Sequence, residues 1–231
     1  MNLTNKVALI TGANGGLGMA VTTAFLEAGA QVAGVSPKIQ DADFSHPNFK
    51  AFPGEIASGA SAQAVCSAVV AKFGRIDVLV HLVGAFKGGK PIAETDDDTF
   101  RGMLDTNLVA AFYIVRAVLP DMRTRGSGRI LAIGSKAAVE PVAKVGAYAA
   151  SKAALVSLVR TVAIENKDRG ITANIVLPGT MDTPGNRAAM PGADPSKWVH
   201  PSQVASMLVH LATDEASQIS GAAIPVLGGE L

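Results

Sequence analysis

Short apolar segments recur along the chain, and longer segments in which apolar residues follow helical spacing separate them. An unbroken apolar segment such as 7–10 is typical of a parallel strand that is buried on both faces. We predict about seven strands, at 6–11, 31–36, 49–52, 77–83, 129–133, 171–177 and 222–227. We predict helices at 19–29, 61–73, 95–123, 148–167 and 201–211. Because strands and helices alternate, the pattern predicts an α/β fold with a doubly wound parallel sheet and helices on both faces.

The composition narrows the class of protein. The chain has 231 residues, of which 48% are hydrophobic and 17% charged, so we predict one ordered domain over 1–231. A net charge of +1 without a basic block argues against nucleic acid as a partner. No signal peptide and no continuous apolar run of about 18 residues is visible, so we expect no membrane span and a cytoplasmic location. The single cysteine, Cys66, is expected to be buried on a helix face.

Two stretches that contain prolines interrupt the alternation. Residues 37–48 show no helical period, so the crossover there is predicted to be a loop or a very short helix. At 180–200, Thr183 and Asp194 each precede a proline, which is the pattern of a helix N-cap followed by proline at the first helical position. We predict two short helices that form a lid, with Trp198 as its anchor. Arg187 in this lid is a candidate contact for an anionic substrate group, or a surface residue.

A glycine-rich segment at 11–18 connects the first strand to the first helix. Glycines at 12, 16 and 18 suit a tight turn, allow a pyrophosphate to approach the backbone, and direct the helix N-terminus at it. The segment has the required context, a strand before it and a helix after it, and therefore predicts a Rossmann-like dinucleotide site.

The end of the second strand bears on the choice of coenzyme. Sites for NAD(H) usually have an acidic residue at this point to hold the ribose hydroxyls. This chain has Ser36 and then Lys38, which can receive a 2′-phosphate, although Asp41 and Asp43 follow closely and oppose that interpretation. The pattern favours NADP(H) over NAD(H).

Tyr148 and Lys152 are four residues apart near the start of an apolar helix, so their side chains share one face. A neighbouring ammonium lowers the pKa of a phenol, and we expect Tyr148 to become a general acid and base in this way. Ser135 follows the fifth strand, where its hydroxyl can hydrogen-bond the oxygen whose proton moves. Asn107 lies in an apolar helical segment and, if buried, must be paired or must hold water. His81 interrupts an apolar strand and is expected to be a paired, buried imidazole, not a metal ligand.

Together these motifs resemble the short-chain dehydrogenase/reductase family, and the resemblance covers nearly the whole chain. It implies that Tyr148 moves the proton, that Ser135 stabilises the carbonyl oxygen, that Lys152 binds the nicotinamide ribose, and that Asn107 holds a relay water. It further implies a carbonyl/alcohol substrate and a homo-dimer or homo-tetramer through helices 95–123 and 148–167. With the residues named for the turn and strand ends, the cofactor-binding set is Gly12, Asn14, Gly15, Gly16, Leu17, Gly18, Ser36, Lys38, Glu55, Ile56, Val83, Gly84, Tyr148, Lys152, Pro178, Gly179, Met181 and Thr183, and no metal is expected.

Some features depart from the family pattern. After the fourth strand, the family's usual N-N-A-G is replaced by H-L-V-G at 81–84. The usual aspartate after the third strand is replaced by Glu55, and the usual D-G-G near the C-terminus is replaced by L-G-G at 227–229. The lid and the short crossover resemble the dihydropteridine reductase branch, whose members have an acid at the end of the second strand and no serine at the position of Ser135. The open alternatives are therefore a dihydropteridine-reductase-like enzyme and, in another class, a dinucleotide sensor without chemistry.

Overall fold

The computed structural model describes residues 1–229, and its centre is one parallel sheet in the order β3-β2-β1-β4-β5-β6-β7. The strands are β1 Val7–Thr11, β2 Gln31–Ser36, β3 Phe49–Pro53, β4 Val78–His81, β5 Gly128–Ile133, β6 Ile171–Pro178 and β7 Ala223–Val226. The predicted α/β fold with a doubly wound sheet is confirmed. The fourth strand is shorter than the predicted 77–83 because pairing with β1 and β5 ends at His81.

Helices cover both faces of the sheet. They are α1 Gly18–Glu27, α2 Gly59–Phe73, α3 Asp97–Leu104, α4 Ala110–Arg125, α5 Gly146–Glu165, α6 Pro184–Ala189 and α7 Pro201–Ala212. One buried cluster joins the sheet to α2, α4 and α5, and a second joins its other face to α1 and α7. Cys66 is buried in the first cluster, as predicted, and burial raises its pKa to about 12. Because both faces of each central strand are covered by helices, the side chains on both faces are apolar. The sequence of these strands therefore does not alternate between apolar and polar residues.

The helix predicted over 95–123 differs from the structure at two points. It begins at Asp97, because Asp96 and not Thr95 is the N-cap, its carboxylate accepting a hydrogen bond from Thr99 N at 2.7 Å. Between α3 and α4 the backbone forms a π-helical turn at Asp105–Val109. Such turns insert one extra residue and are frequent at functional sites. The turn contains Asn107, which is completely buried.

The crossover contains one very short helix and the segment at 180–200 contains two, as predicted. A single 3₁₀ turn at Asp41–Asp43 is the only helix between β2 and β3 in the described chain. Thr183 and Asp194 are N-caps, of α6 and of a 3₁₀ turn at Pro195–Lys197. Arg187, however, is ion-paired at 2.5 Å with Asp182 and donates two hydrogen bonds to it, so its charge is already neutralised.

Two helical stretches are long and apolar enough by composition to cross a membrane, Asp97–Arg125 and Gly146–Glu165. The expectation from continuous apolar runs missed them because charged residues interrupt the apolar positions. Core helices of soluble proteins pass the same test. Here α5 packs against β6 and contributes Leu155 and Val159 to the core, which accounts for its apolar character.

Candidate active site

The carboxyl ends of the strands bring the residues singled out in the sequence to one edge of the sheet. The strand order reverses between β1 and β4, and in open α/β sheets ligands bind in the crevice at this point. Loops from both sides of the reversal meet there. The residues at these strand ends are 12–18 after β1, 36–38 at the end of β2, 55–56 after β3, 83–84 after β4, 135 after β5 and 179–183 after β6.

The glycine-rich turn after β1 has the form of an anion cradle. Gly12 has φ +72°, and a Cβ on Gly18 would lie 2.0 Å from the carbonyl oxygen of Gly12. Within residues 1–229, the backbone N–H groups of Gly16 and Leu17 donate no hydrogen bond, and Leu17 provides no side-chain cap for α1. Exposed N–H groups at a helix N-terminus are the usual ligands of a pyrophosphate, so this turn fits the group.

The segment after β6 packs against this turn. A Cβ built on Gly16 would lie 3.2 Å from Cβ of Thr183, the residue that caps α6. Pro178 and Thr183 are buried, Gly179 N donates to Val226 O at 3.0 Å, and Met181 pairs with Val199 in an isolated bridge. The segment after β6 therefore borders the turn from the side opposite β2.

The residues after β2 and β3 differ in exposure. Ser36 is buried at the end of β2, while Lys38 is exposed. Glu55 is exposed, and Ile56 is buried in the core, so Ile56 can offer only its backbone to a ligand. Asn14 of the glycine-rich turn donates a hydrogen bond to Asp43 in the crossover at 3.0 Å.

After β4, Gly84 lies close to two polar side chains. A Cβ there would lie 3.0 Å from Oδ1 of Asn107 and 3.0 Å from Nζ of Lys152. The neighbouring Val83 contributes a backbone that approaches Gly12, whose Cβ would lie 3.4 Å from Val83 N. The glycine at 84 thus brings an amide oxygen and an ammonium close to the backbone at the centre of the edge.

Asn107 is held by hydrogen bonds on both sides of its amide. Its Oδ1 accepts from Ala85 N at 2.9 Å, and its Nδ2 donates to Ala85 O and to Ser151 Oγ, each at 3.0 Å. Ser151 Oγ in turn donates to Tyr148 O at 2.7 Å. This chain of bonds connects the π turn, the segment after β4 and the first turn of α5.

Lys152 is buried, and its Nζ donates to the carbonyl oxygen of Ile133 at 2.9 Å. Burial lowers the pKa of Lys152 to about 8. An ammonium has three donors, so two remain for a ligand at the edge of the sheet.

Tyr148 is half-buried, and Phe86 packs edge-on against it with ring centroids 5.0 Å apart. Burial raises the pKa of Tyr148 above its ordinary value, and its hydrogen bond with Ser135 lowers it in part. The prediction that Lys152 depresses this pKa is therefore wrong for the coenzyme-free protein. The physical reason is that the phenolate loses hydration on burial, while Lys152 donates to Ile133 O.

His81 is buried as expected, but it is paired on one side only. Its Nδ1 lies 2.9 Å from Thr11 Oγ1, whereas its Nε2 has no hydrogen-bond partner among residues 1–229. Burial, followed by the charge of Lys152, lowers the pKa of His81 to about 3, so the imidazole is neutral. The part of the chain that the structure describes contains no group of three or more residues able to hold a metal ion.

Three residues with structural contacts to the site were missed in the sequence. Phe86 covers the ring of Tyr148, Ser151 connects Asn107 to Tyr148, and Thr11 holds His81. Only Ser151 left a signal, because a serine three residues after Tyr148 on a helix can donate back to a carbonyl in the preceding turn.

The sheet, the glycine-rich turn and the polar groups at its edge define a Rossmann-like nucleotide-binding oxidoreductase. A family profile described as short chain dehydrogenase matches residues 6–193. The chain belongs to this family. It is an NAD(P)-dependent oxidoreductase that acts on a carbonyl/alcohol pair.

Relatives support this assignment over nearly the full chain. The chain is 32% identical to 3-oxoacyl-[acyl-carrier-protein] reductase FabG of Salmonella typhimurium, over 99% of this chain and 98% of that protein. It is 32% identical to the short-chain dehydrogenase/reductase cdmF of Talaromyces verruculosus, over 97% and 96% respectively. Among solved structures, ElxO with NADP bound is similar with a TM-score of 0.92 and 25% identity, over 97% of this chain and 98% of that one. Levodione reductase is similar with a TM-score of 0.92 and 25% identity, over 98% of each chain.

Proposed function

We propose that the protein is a carbonyl reductase, or alcohol dehydrogenase in the reverse direction, with Tyr148 as the general acid and base and NADP(H) preferred over NAD(H). The observation that carries the proposal is the convergence of Ser135, Tyr148 and Lys152 beside an uncapped glycine-rich turn. We take the whole chain to be one cytoplasmic catalytic domain with a lid at about 180–200.

When bound, the nicotinamide coenzyme supplies or takes up the hydride. In the reductive direction the Oη of Tyr148 donates its proton to the carbonyl oxygen, and Ser135 hydrogen-bonds the same oxygen. Burial raises the pKa of Tyr148, which keeps the phenol protonated and ready to donate near neutral pH. In the oxidative direction Tyr148 must first lose its own proton, and the phenolate then accepts the proton of the alcohol.

Lys152 and Asn107 support this proton transfer. The two free donors of Lys152 suit ribose hydroxyls, because Ile133 O already fixes the direction of its side chain. Asn107 Oδ1 lies across Gly84 from the ammonium and retains a lone pair beyond its bond to Ala85 N. A water held between Oδ1 and Nζ would relay a proton towards Tyr148, which is the role we propose for Asn107.

The coenzyme preference rests on the residues after β2. Ser36 ends the strand in place of an acid, and Lys38 is exposed and forms no ion pair within residues 1–229. A hydroxyl and a free ammonium favour a 2′-phosphate. The similar ElxO structure has NADP bound, which agrees with this choice.

An exposed apolar side chain borders Tyr148. Phe86 packs on the ring of Tyr148 and is itself 66% exposed. Because Arg187 is neutralised by Asp182, no free lid arginine selects an anion. We therefore propose a largely apolar carbonyl compound as the substrate, and the 3-oxoacyl and levodione substrates in the names of two relatives are the first to test.

The test is the decay of nicotinamide absorbance with a panel of ketones, diketones, 3-oxoacyl thioesters and levodione, run with NADPH and NADH in parallel. We expect turnover of at least one carbonyl, faster with NADPH, and a loss of kcat of roughly a hundredfold to a thousandfold in Ser135→Ala, the scale of one lost donor to a developing oxyanion. Binding of either coenzyme without turnover of any carbonyl would contradict the proposal and favour the non-catalytic sensor.

A dihydropteridine-reductase-like activity is the second candidate, because the lid sequence and the short crossover resemble that branch. Quinonoid dihydropterin belongs in the same panel. Turnover of the pterin alone, unchanged in Ser135→Ala, would favour this candidate over the carbonyl reductase.

We further propose a homo-dimer or homo-tetramer through α3, α4 and α5. Large apolar side chains lie exposed on these helices: Phe100 is 45%, Phe112 42% and Ile164 71% exposed. Light scattering of the purified protein tests this, and a monomer would contradict it.

A further inference from the structure

The short crossover after β2 contains two aspartates whose side chains have different partners. Asp41 and Asp43 are the first and last residues of one 3₁₀ turn. The carboxylate of Asp41 contacts β3, since it accepts from Ala51 N at 2.7 Å and pairs with Lys50 at 2.5 Å. The carboxylate of Asp43 contacts the glycine-rich turn, because its Oδ2 accepts from Asn14 Nδ2 at 3.0 Å.

A second hydrogen bond, from within the crossover, also holds the carboxylate of Asp43. The same Oδ2 accepts from Gln40 N at 3.2 Å, so the carboxylate is held between the crossover and the turn after β1. Its second oxygen, Oδ1, has no hydrogen-bond partner within residues 1–229, and the residue is exposed. A fixed carboxylate with one free oxygen therefore borders the glycine-rich turn.

This position is next to the adenosine half of the coenzyme site. In this fold the pyrophosphate lies on the glycine-rich turn and the adenosine ribose lies towards the end of β2. Here β2 ends in Ser36, which has no charge, and Asp43 is the acid that contacts both the turn and the segment after β2.

We propose that Asp43 is a coenzyme-specificity residue that takes the place of the missing acid at the end of β2. Its free oxygen accepts a hydrogen bond from a ribose hydroxyl of NAD(H), and its charge repels the 2′-phosphate of NADP(H). A carboxylate and a phosphate are both acceptors, so no hydrogen bond compensates the repulsion. Asp43 therefore opposes Lys38 and limits the preference for NADP(H). The inference rests on the coenzyme site proposed above.

The experiment is a fluorescence titration of the purified protein with NADH and with NADPH, which needs no substrate. The variant is Asp43→Asn, which keeps an acceptor for Gln40 N and removes the charge. We expect the ratio of NADPH to NADH affinity to rise about tenfold, the scale of one like-charge contact near a protein surface. Asp43→Ala is expected to shift the ratio in the same direction.

Asp41→Asn is the matched control. It removes the same charge from the same turn, and the amide oxygen can still accept from Ala51 N, so we expect the affinity ratio to stay within about twofold of wild type, because exposed charges at longer range are screened by salt. A ratio unchanged in both Asp43 variants would overturn the inference while leaving the coenzyme site intact. An equal shift in the Asp41 variant would also overturn it. A wild-type protein that binds neither coenzyme would overturn the proposed function itself.

Discussion

Replacing Lys152 with methionine is expected to abolish activity and to change how stability depends on pH. Lys152 is 4% exposed, and burial lowers its pKa from 10.5 to about 8. This pKa shift corresponds to a free energy of about 3 kcal/mol. It is the amount by which folding destabilises the ammonium form of Lys152 relative to the neutral amine. Methionine has a similar shape and no charge, so Lys152→Met removes this cost.

The sign follows from the lowered pKa. Between pH 8 and 10.5 the unfolded chain binds a proton at Lys152 that the folded chain has lost, so the free energy of unfolding of wild type rises with pH there. The cost of the buried ammonium is fully present below pH 8. Relative to Lys152→Met, wild type is expected to gain about 2 kcal/mol between pH 7 and pH 9.5. The lost hydrogen bond to Ile133 O adds an offset that is nearly independent of pH.

The assay is urea denaturation of the coenzyme-free proteins at half-unit steps from pH 7 to 9.5. Lys167→Met is the control, because Lys167 is exposed on the turn after the same helix and its ammonium is hydrated in both states. Its curve should run parallel to that of wild type. Parallel curves for wild type and Lys152→Met would refute the reasoning, since the buried ammonium would then have no energetic cost.

Three further substitutions test other parts of the structure. Asn107→Ala removes the hydrogen bonds that a completely buried side chain makes to Ala85 and Ser151, so urea denaturation should show a loss of about 2–4 kcal/mol. Gly18→Ala places a Cβ 2.0 Å from Gly12 O, and a coenzyme titration should show a loss of binding of about a hundredfold or more, as the turn must move off its pyrophosphate. Asp77→Ala removes a 5%-exposed carboxylate that accepts from Val7 N, and denaturation should show a loss of about 3 kcal/mol; less than 1 kcal/mol would mean its bonds are weak.

The strands, and the sheet edge at which the site lies, were predictable from the sequence. Strands that are buried on both faces appear in the sequence as continuous apolar segments. The segment that became β6 is apolar throughout except for Thr172 and Asn174. Gly12 is required by its positive φ, and Gly18 by a backbone that leaves no room for a Cβ. The N-caps of the lid helices were equally local signals.

Features that depend on tertiary packing were not predictable. The π turn at Asn107 inserts a residue without disturbing the apolar pattern around it, so the segment resembles one continuous helix. The direction of Lys152 depends on the carbonyl of Ile133, and the raised pKa of Tyr148 depends on its burial in the folded chain. The opposite directions of Asp41 and Asp43 likewise depend on Ala51 and Asn14, which lie on other elements.

The most direct test of the catalytic proposal is the turnover of Tyr148→Phe with the best carbonyl substrate, measured beside its affinity for coenzyme. Phenylalanine keeps the ring that packs against Phe86 and removes only the hydroxyl. We expect kcat to fall by about a thousandfold, within the range of general acid catalysis, while coenzyme affinity stays within about threefold of wild type. If the variant binds coenzyme and keeps more than about a tenth of the wild-type kcat, the proton comes from another group and the account is wrong.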